Sequence, residues 1–442
     1  MRGAPEPKAS AQAAMCYASG DVSGAEYFAR FALMDDPRDA DALAVLARLS
    51  MDWRAFDFAQ DYAARALATN PYLKPAKKVV EELAKVPAEA RGFRGPAGGE
   101  ASTWKSAADP AARVLLIKSW GAGFWSDVLH VLGQLVLASV SGRTPIIAWG
   151  ERSRFLPADW PGNGSEAWSQ FFEPVSELRL HDVLARGDLS CYPPCWNREN
   201  LQRERGVDRA ANLAGPWDLY TLNRPERVVV SNIFIGMWDI ANWIPAWHPW
   251  HGLEATELVR RAFQHWARPV KPVVDAVERF AAEHFSSRPL IALHLRGTDK
   301  VGEVPDLALA NVELVRHVSE LLGASPGARV FLLTDTVQAL ADARQRWGER
   351  VIATDCFRSS NQESIHFQQR SDPNDGVKFG REVLVDALLA SRCDSLVGIA
   401  RSNVAAMIGL MKAWEAGALR LLGPPMIAPQ RIEGLPRPVK KR

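Results

Sequence analysis

Cysteine is scarce in this 442-residue chain, with five in all. Cys16, Cys356 and Cys393 each stand far from any other, a count and spacing that speak against a disulfide scaffold and for a reducing compartment. Cys191 and Cys195 form the one close pair, but no second Cys or His pair stands at zinc spacing, so no metal site is expected. An excess of either charge is missing too. The 53 basic side chains face 51 acidic ones, a formal net charge of +2, so nothing marks the chain for nucleic acid or an anionic membrane. Nor is there a run of roughly 20 apolar residues of the kind that crosses a bilayer; the apolar stretch 128–140 reads as a buried helix. The opening residues carry no apolar run of signal-peptide type, and a cytoplasmic protein is the expectation.

The remainder is ordinary globular material, 47% hydrophobic and 24% charged, over a length that one core does not normally support. The first organised signal is an internal repeat. Residues 24–37, ending at Pro37, align with residues 58–71, ending at Pro71, at a period of 34. Ala25 falls on Ala59, Phe28 on Tyr62, Ala29 on Ala63, Ala32 on Ala66 and Leu33 on Leu67. Small residues where helices approach and a proline after the second helix are tetratricopeptide-like. Two repeats are fewer than usually stand alone, so this module, residues 1–90, is expected to lean on the domain behind it.

A Gly/Pro-rich linker is read over 91–110. Beyond it the strand Val114–Ile117, a glycine loop, a helix over 127–140 and the strand Pro145–Trp149 make a Rossmann-like opening. The second half alternates more regularly: strand 289–295, helix 311–322, strand 329–334, helix 337–347, strand 349–354, helix 380–391, strand 395–400 and a helix from Arg401. Such alternation predicts parallel, doubly wound sheets. The fold class is therefore α/β with two Rossmann-like domains, over 111–285 with a helical bridge (253–285) and over 286–425, behind the all-α module and before a tail of 426–442.

Chemistry concentrates where strand 289–295 ends. From His294 to Glu303 lie an imidazole, a guanidinium, an ammonium and two carboxylates, at the strand end where open α/β sheets bind ligands. Arg296 offers a permanently charged planar fork suited to phosphate oxygens. His294, two residues earlier on the same face, either packs beneath the site or touches its ligand. Asp299 and Glu303 are candidate bases for a hydroxyl, with Lys300 tuning them or binding phosphate; a solvated, salt-bridged loop is the alternative. Asp335 ends a strand and fits a ligand hydroxyl. Asp386 sits inside an apolar helix and needs a partner, either to orient Arg296 or to cap a loop. Ser402 and Asn403 open a helix whose free N–H groups suit a phosphate, although capping alone also explains them. Gly121 and Gly123 permit close backbone approach or a tight turn. Trp238, Trp243, Trp247 and Trp250 offer either a sugar platform or core packing.

The segment His294–Lys300 resembles the His-x-Arg-Arg-x-Asp-Lys signature of α-1,6-fucosyltransferases, including the nodulation fucosyltransferases. The likeness continues through Leu332–Asp335, Asp386–Asp394 and Val397–Met407, in the family's order, with weaker echoes at the glycine loop and at Phe171–Pro174. It covers roughly 110–425 and not the repeats. It implies a GT-B fold and an inverting, metal-independent enzyme with no cofactor, moving fucose from GDP-fucose to a glycan or protein acceptor. Two departures bear on the donor: Gly297 stands where the family has a second arginine, and Thr336 where eukaryotic relatives often have a second aspartate. Another nucleotide sugar, or an inactive repeat-bearing adaptor, are the other readings left by the residues.

Overall fold

The computed structural model describes residues 7–91, 104, 112–157, 160, 166–203, 223–231, 234, 236–297, 307–360 and 375–423. Five helices come first: α1 (Ala9–Ala18), α2 (Val22–Asp35), α3 (Ala40–Asp52), α4 (Phe56–Thr69) and α5 (Lys74–Ala84). Asp21 and Asp39 start α2 and α3 by accepting from the amides of Gly24 and Ala42, each at 2.9 Å, which satisfies donors that a helix start otherwise leaves open. α2 and α4 begin 34 residues apart, as do α3 and α5. The repeated Ala25, Ala29, Ala59, Ala63 and Ala66 are buried where helices meet.

These helices do lean on the rest. Arg30 and Arg65 donate to the carbonyls of Asp239 and Asn242 at 3.2 and 2.9 Å, and Asp61 accepts from the Ala246 amide at 2.7 Å. Phe58 meets Trp247 edge to face at 5.9 Å.

The first sheet takes β1 (Val114–Lys118), β2 (Thr144–Ala148), β3 (Cys191–Tyr192) and β4 (Val228–Ser231) in the order β2-β1-β4-β3, all parallel. Between them run α6 (Phe124–Ser141), α7 (Leu180–Ala185) and α8 (Arg198–Arg203). α6 is long and apolar enough to cross a membrane, but 94% of it is buried inside the protein, where it is the central core helix. The expected bridge is two helices, α10 (Ala255–Trp266) and α11 (Lys271–His284), after the short α9 (Met237–Ile240).

The second sheet has the order β7-β6-β5-β8-β9, again wholly parallel, from β5 (Leu290–Leu295), β6 (Arg329–Thr334), β7 (Val351–Ile352), β8 (Ser395–Ile399) and β9 (Leu419–Leu422). Its helices are α12 (Leu307–Ala324), α13 (Val337–Trp347), α14 (Asp375–Ser391) and α15 (Asn403–Met411). Successive strand residues point to opposite faces, and both faces are apolar: Leu293 and Leu332 serve one cluster, while Ala292 and Phe331 join the core that runs on into α6 and the N-terminal helices. Burial of both faces is what parallel sheets require. The linker read over 91–110 lies, apart from Arg91 and Trp104, outside the described residues, as does the tail 426–442.

Candidate functional site

From β5 the chain goes on to β6 and β7 on one side of the sheet, whereas β8 and β9 lie on the other. The carboxyl ends of β5 and β8 therefore flank a topological switch point, the crevice where doubly wound sheets take ligands. Arg296 leaves β5 there, and α15 starts there after β8. Asp335, at the end of β6, holds the Arg296 guanidinium at 3.1 Å through one carboxylate oxygen and accepts from the Gly297 amide at 2.9 Å through the other. Asn311 of α12 donates to the Arg296 carbonyl at 2.9 Å. A buried carboxylate thus fixes the fork, which itself keeps 19% of its side chain exposed. Asp335, read from sequence as a ligand contact, has a positioning role in this geometry.

His294 lies beneath, 4% exposed. Its burial, with the nearby Arg296 charge, pushes the imidazole down to about 4 against the opposing pull of Asp335, so the ring is neutral near pH 7. Among the described residues its Nδ1 has no hydrogen-bond partner. Ser402 is the N-cap residue of α15, yet its side chain makes no capping bond. That corrects the capping reading and leaves the first-turn amides, which have no intrahelical acceptor, at the crevice. Asn403 is the first residue of the helix.

The two departures from the family signature touch each other. A Cβ on Gly297 would come within 2.9 Å of the Thr336 methyl carbon and 3.3 Å of its hydroxyl. Thr336 is buried and caps α13 through the Ala339 amide, so it has little room to yield. Gly297→Ala should cost about 1–3 kcal/mol of unfolding free energy. In a Thr336→Ser background, which keeps the capping oxygen and removes the methyl, that cost should fall by about 1 kcal/mol. Equal costs in both backgrounds would show that the methyl is not what the new side chain meets.

Asp386, on α14, is not the group that orients Arg296. It accepts from the Thr354 hydroxyl at 2.6 Å and from the Cys356 thiol at 3.6 Å. Burial raises its carboxyl to about 6, against the lowering effect of the Thr354 bond and of Arg358. It lines a cavity of about 640 Å³ together with Thr354, Cys356, Lys378 and, from the first α/β unit, Pro157 and Gln170. The strip 354–359 is tied back to the Arg296 anchor, because the Ser359 amide donates to the Asp335 carbonyl at 2.8 Å.

Gly121 and Gly123 come after β1, at the switch point of the first sheet. Gly121 has φ +84°, a conformation that suits glycine, and Gly123 is the N-cap residue of α6. The loop's amides turn inward: buried Asp127 accepts from Gly121 at 3.1 Å, from Ala122 at 3.4 Å and from the Ser119 hydroxyl at 2.6 Å. Asp127 was not picked out from sequence, although an acidic residue in the first turn of a helix after a glycine loop is a recognisable capping signal. Burial lifts its carboxyl to about 6.

Asp299, Lys300 and Glu303 lie outside the described residues. Trp250 is buried in the core, 4.9 Å from Trp266, which decides against a sugar platform at that position, and the half-buried Trp247 packs edge to face on Phe58. Trp238 faces a cavity, and the Trp243 side chain is outside the described set. The five cysteines are unpaired.

No protein-family model matches the chain, and no curated protein matches it. Among solved structures it is similar to the fucosyltransferase NodZ from Bradyrhizobium, at 19% identity over 67% of this chain and 92% of that one, with a TM-score of 0.44. POFUT1 in complex with GDP-fucose aligns at 12% identity over 71% of this chain and 98% of the other, TM-score 0.40. A FUT1 mutant from Arabidopsis thaliana in complex with GDP aligns at 12% identity over 82% and 76%, TM-score 0.36.

Proposed function

We propose that the chain is a cytoplasmic, metal-independent, inverting glycosyltransferase of GT-B type that moves fucose from GDP-fucose to a hydroxyl of a glycan or glycoprotein. One observation carries the reading: a guanidinium fork, anchored by a buried aspartate, at the switch point beside an uncapped helix N-terminus. Both features suit a diphosphate. As the sugar leaves, negative charge grows on the departing diphosphate, and Arg296 with the α15 amides would stabilise it without reorganising. His294 would offer its Nδ1 to the same ligand. The acceptor's proton falls to Asp299 or Glu303, with Lys300 beside them.

The cavity at Asp386 favours a guanine base. Guanine presents two adjacent N–H donors along one edge, and a carboxylate in a desolvated cavity is the complementary acceptor. A different sugar on the same nucleotide is the second reading, favoured by Gly297, which brings no second guanidinium to the donor. The N-terminal helices, tetratricopeptide-like in period, are assigned to presenting the acceptor.

The test is thermal unfolding with GDP-fucose, GDP-mannose, UDP-galactose and UDP-N-acetylglucosamine, each with a chelator present. A ligand at 100 times its Kd stabilises by about 2.7 kcal/mol, so GDP-fucose should raise the midpoint most. A UDP-sugar giving the largest rise would overturn the donor assignment, and transfer that returns only with added magnesium would overturn metal independence.

A further inference from the structure

Carbonyls near the end of a helix lack an intrahelical donor and must find one elsewhere. In α9 and the 3₁₀ turn that follows it (Ala241–Trp243), donors come from the N-terminal helices. Arg30 of α2 donates to the Asp239 carbonyl at 3.2 Å, and Arg65 of α4 to the Asn242 carbonyl at 2.9 Å. Asp61, one turn before Arg65 and paired with it at 3.4 Å, accepts from the Ala246 amide at 2.7 Å. Two guanidiniums and a buried carboxylate thus hold the backbone of the segment that leaves the first sheet.

These bonds reach the switch point of that sheet in two steps. Asp239, whose carbonyl takes Arg30, accepts from the Gly236 amide at 2.9 Å through its carboxylate. Gly236 sits tightly, since a Cβ there would lie 3.3 Å from the Trp238 ring and 3.6 Å from the Phe234 ring. Phe234 in turn packs 6.3 Å from Trp120 of the glycine loop and 6.5 Å from the buried His130 of α6. The same loop meets the second α/β unit through Arg154, whose Nε donates to the Gly121 carbonyl at 3.3 Å and whose carbonyl would stand 2.9 Å from a Cβ on Gly376 of α14. A shift at Phe234 is therefore felt where the two units meet.

We propose that the N-terminal helices brace the glycine loop, with Arg30, Asp61 and Arg65 as positioning residues that act through Asp239 and Phe234. Without them the carbonyls of α9 and its turn lose their donors, the segment opens locally, and the Phe234 ring no longer fixes Trp120. The inference goes beyond the acceptor-presenting role and rests on the transferase reading for its rate measurement alone.

Amide hydrogen exchange of the full chain contains no nucleotide sugar, so it judges the brace whether or not the donor assignment holds. In Arg65→Ala the amide of Ala246 and those of Gly121 and Ala122, both bonded to Asp127, should exchange about tenfold faster, while the Gly297 amide, bonded to Asp335 in the second unit, keeps its rate. Phe234→Ala leaves both guanidiniums in place and should speed Gly121 and Ala122 but not Ala246, so it decides the matter if Arg65→Ala does not fold. For the rate, GDP release from saturating GDP-fucose in water should fall about tenfold in either variant. GDP affinity should stay within about twofold, because Arg296, α15 and Asp386 belong to the second unit. Arg65→Lys, which keeps a donor for Asn242, should recover most of both losses. Unchanged exchange at Gly121 and Ala122 would overturn the brace, since simple packing of the repeats would disturb only the segment they touch, and so would equal acceleration at Gly297, which marks a global effect. Faster loop exchange with unchanged GDP release would overturn the positioning role in the reaction.

Discussion

Arg296→Lys should cut the rate of sugar transfer by about a hundredfold and cost no more than about 1–2 kcal/mol of unfolding free energy. The two effects separate because charge and geometry separate. Lysine keeps a positive charge opposite Asp335, so the half-buried ion pair is not left as a lone carboxylate. What lysine cannot keep is the planar fork, whose orientation is set by the ion pair with Asp335 at 3.1 Å and whose donors lie in one fixed plane. An ammonium that satisfies Asp335 is drawn away from the ligand; one that reaches the ligand leaves Asp335. The loss should therefore appear in turnover measured with saturating donor as well as in donor affinity. A lysine variant with unchanged turnover and unchanged donor affinity would remove Arg296 from the reaction.

Distance along the chain explains why Arg296 was legible and its anchor was not. A guanidinium next to carboxylates at the end of an apolar run is a local pattern, and β5, β6, α13 and β8 were readable because apolar periodicity of 2 or 3.6 is also local. Asp335 is 38 residues beyond Gly297, and only the parallel pairing of β5 with β6 brings the two strand ends together. The Gly297–Thr336 contact is hidden for the same reason: each departure is visible alone, but nothing in the sequence says that the methyl of one fills the space left by the other. Asp386 was recognised as a buried acid in need of a partner, and its partners, Thr354 and Cys356, come from a loop whose path periodicity does not describe. β4 escaped because its four residues come after a stretch without clear pattern, and β9 because Leu419–Leu422 is short and half-exposed at a sheet edge. Strand β7 was read too long: only Val351 and Ile352 pair with β6, and the chain then turns to wall the cavity at Thr354. The helical period was legible because helix starts recur with it, whereas the bond from Arg65 that holds those helices to the rest reaches a carbonyl 177 residues away.

Replacing either Gly376 or Gly380 with alanine should destabilise the protein by about 3 kcal/mol or more, which reverses the usual sign, since alanine in a helix is ordinarily about 1 kcal/mol better than glycine. The two lie four apart on α14 and therefore on one face. A Cβ on Gly376 would stand 2.5 Å from the Leu156 carbonyl oxygen and 2.9 Å from that of Arg154, both backbone atoms. On Gly380 it would stand 2.6 Å from two carbons of the Phe171 ring, which is wedged between Phe124 at 5.1 Å and Phe155 at 6.3 Å. None of these neighbours can step aside without dislodging the aromatic core of the first α/β unit, so α14 must move instead. The same helix carries Lys378, Glu382 and Asp386 into the cavity of about 640 Å³, and Pro157 and Gln170 close that cavity from the other unit. Arg381 of α14 is clasped to Gln170 at 3.1 Å. Pushing α14 outward separates the cavity's two walls, and nucleotide affinity should fall along with stability. Gly323→Ala on α12 is the control, because nothing lies within 4 Å of a Cβ there; it should stabilise by about 0.5–1 kcal/mol. Denaturant unfolding and GDP titration of the three variants decide the matter: if Gly376→Ala and Gly380→Ala behave like Gly323→Ala in both measurements, the close seat of α14 against the first unit is not what shapes the cavity.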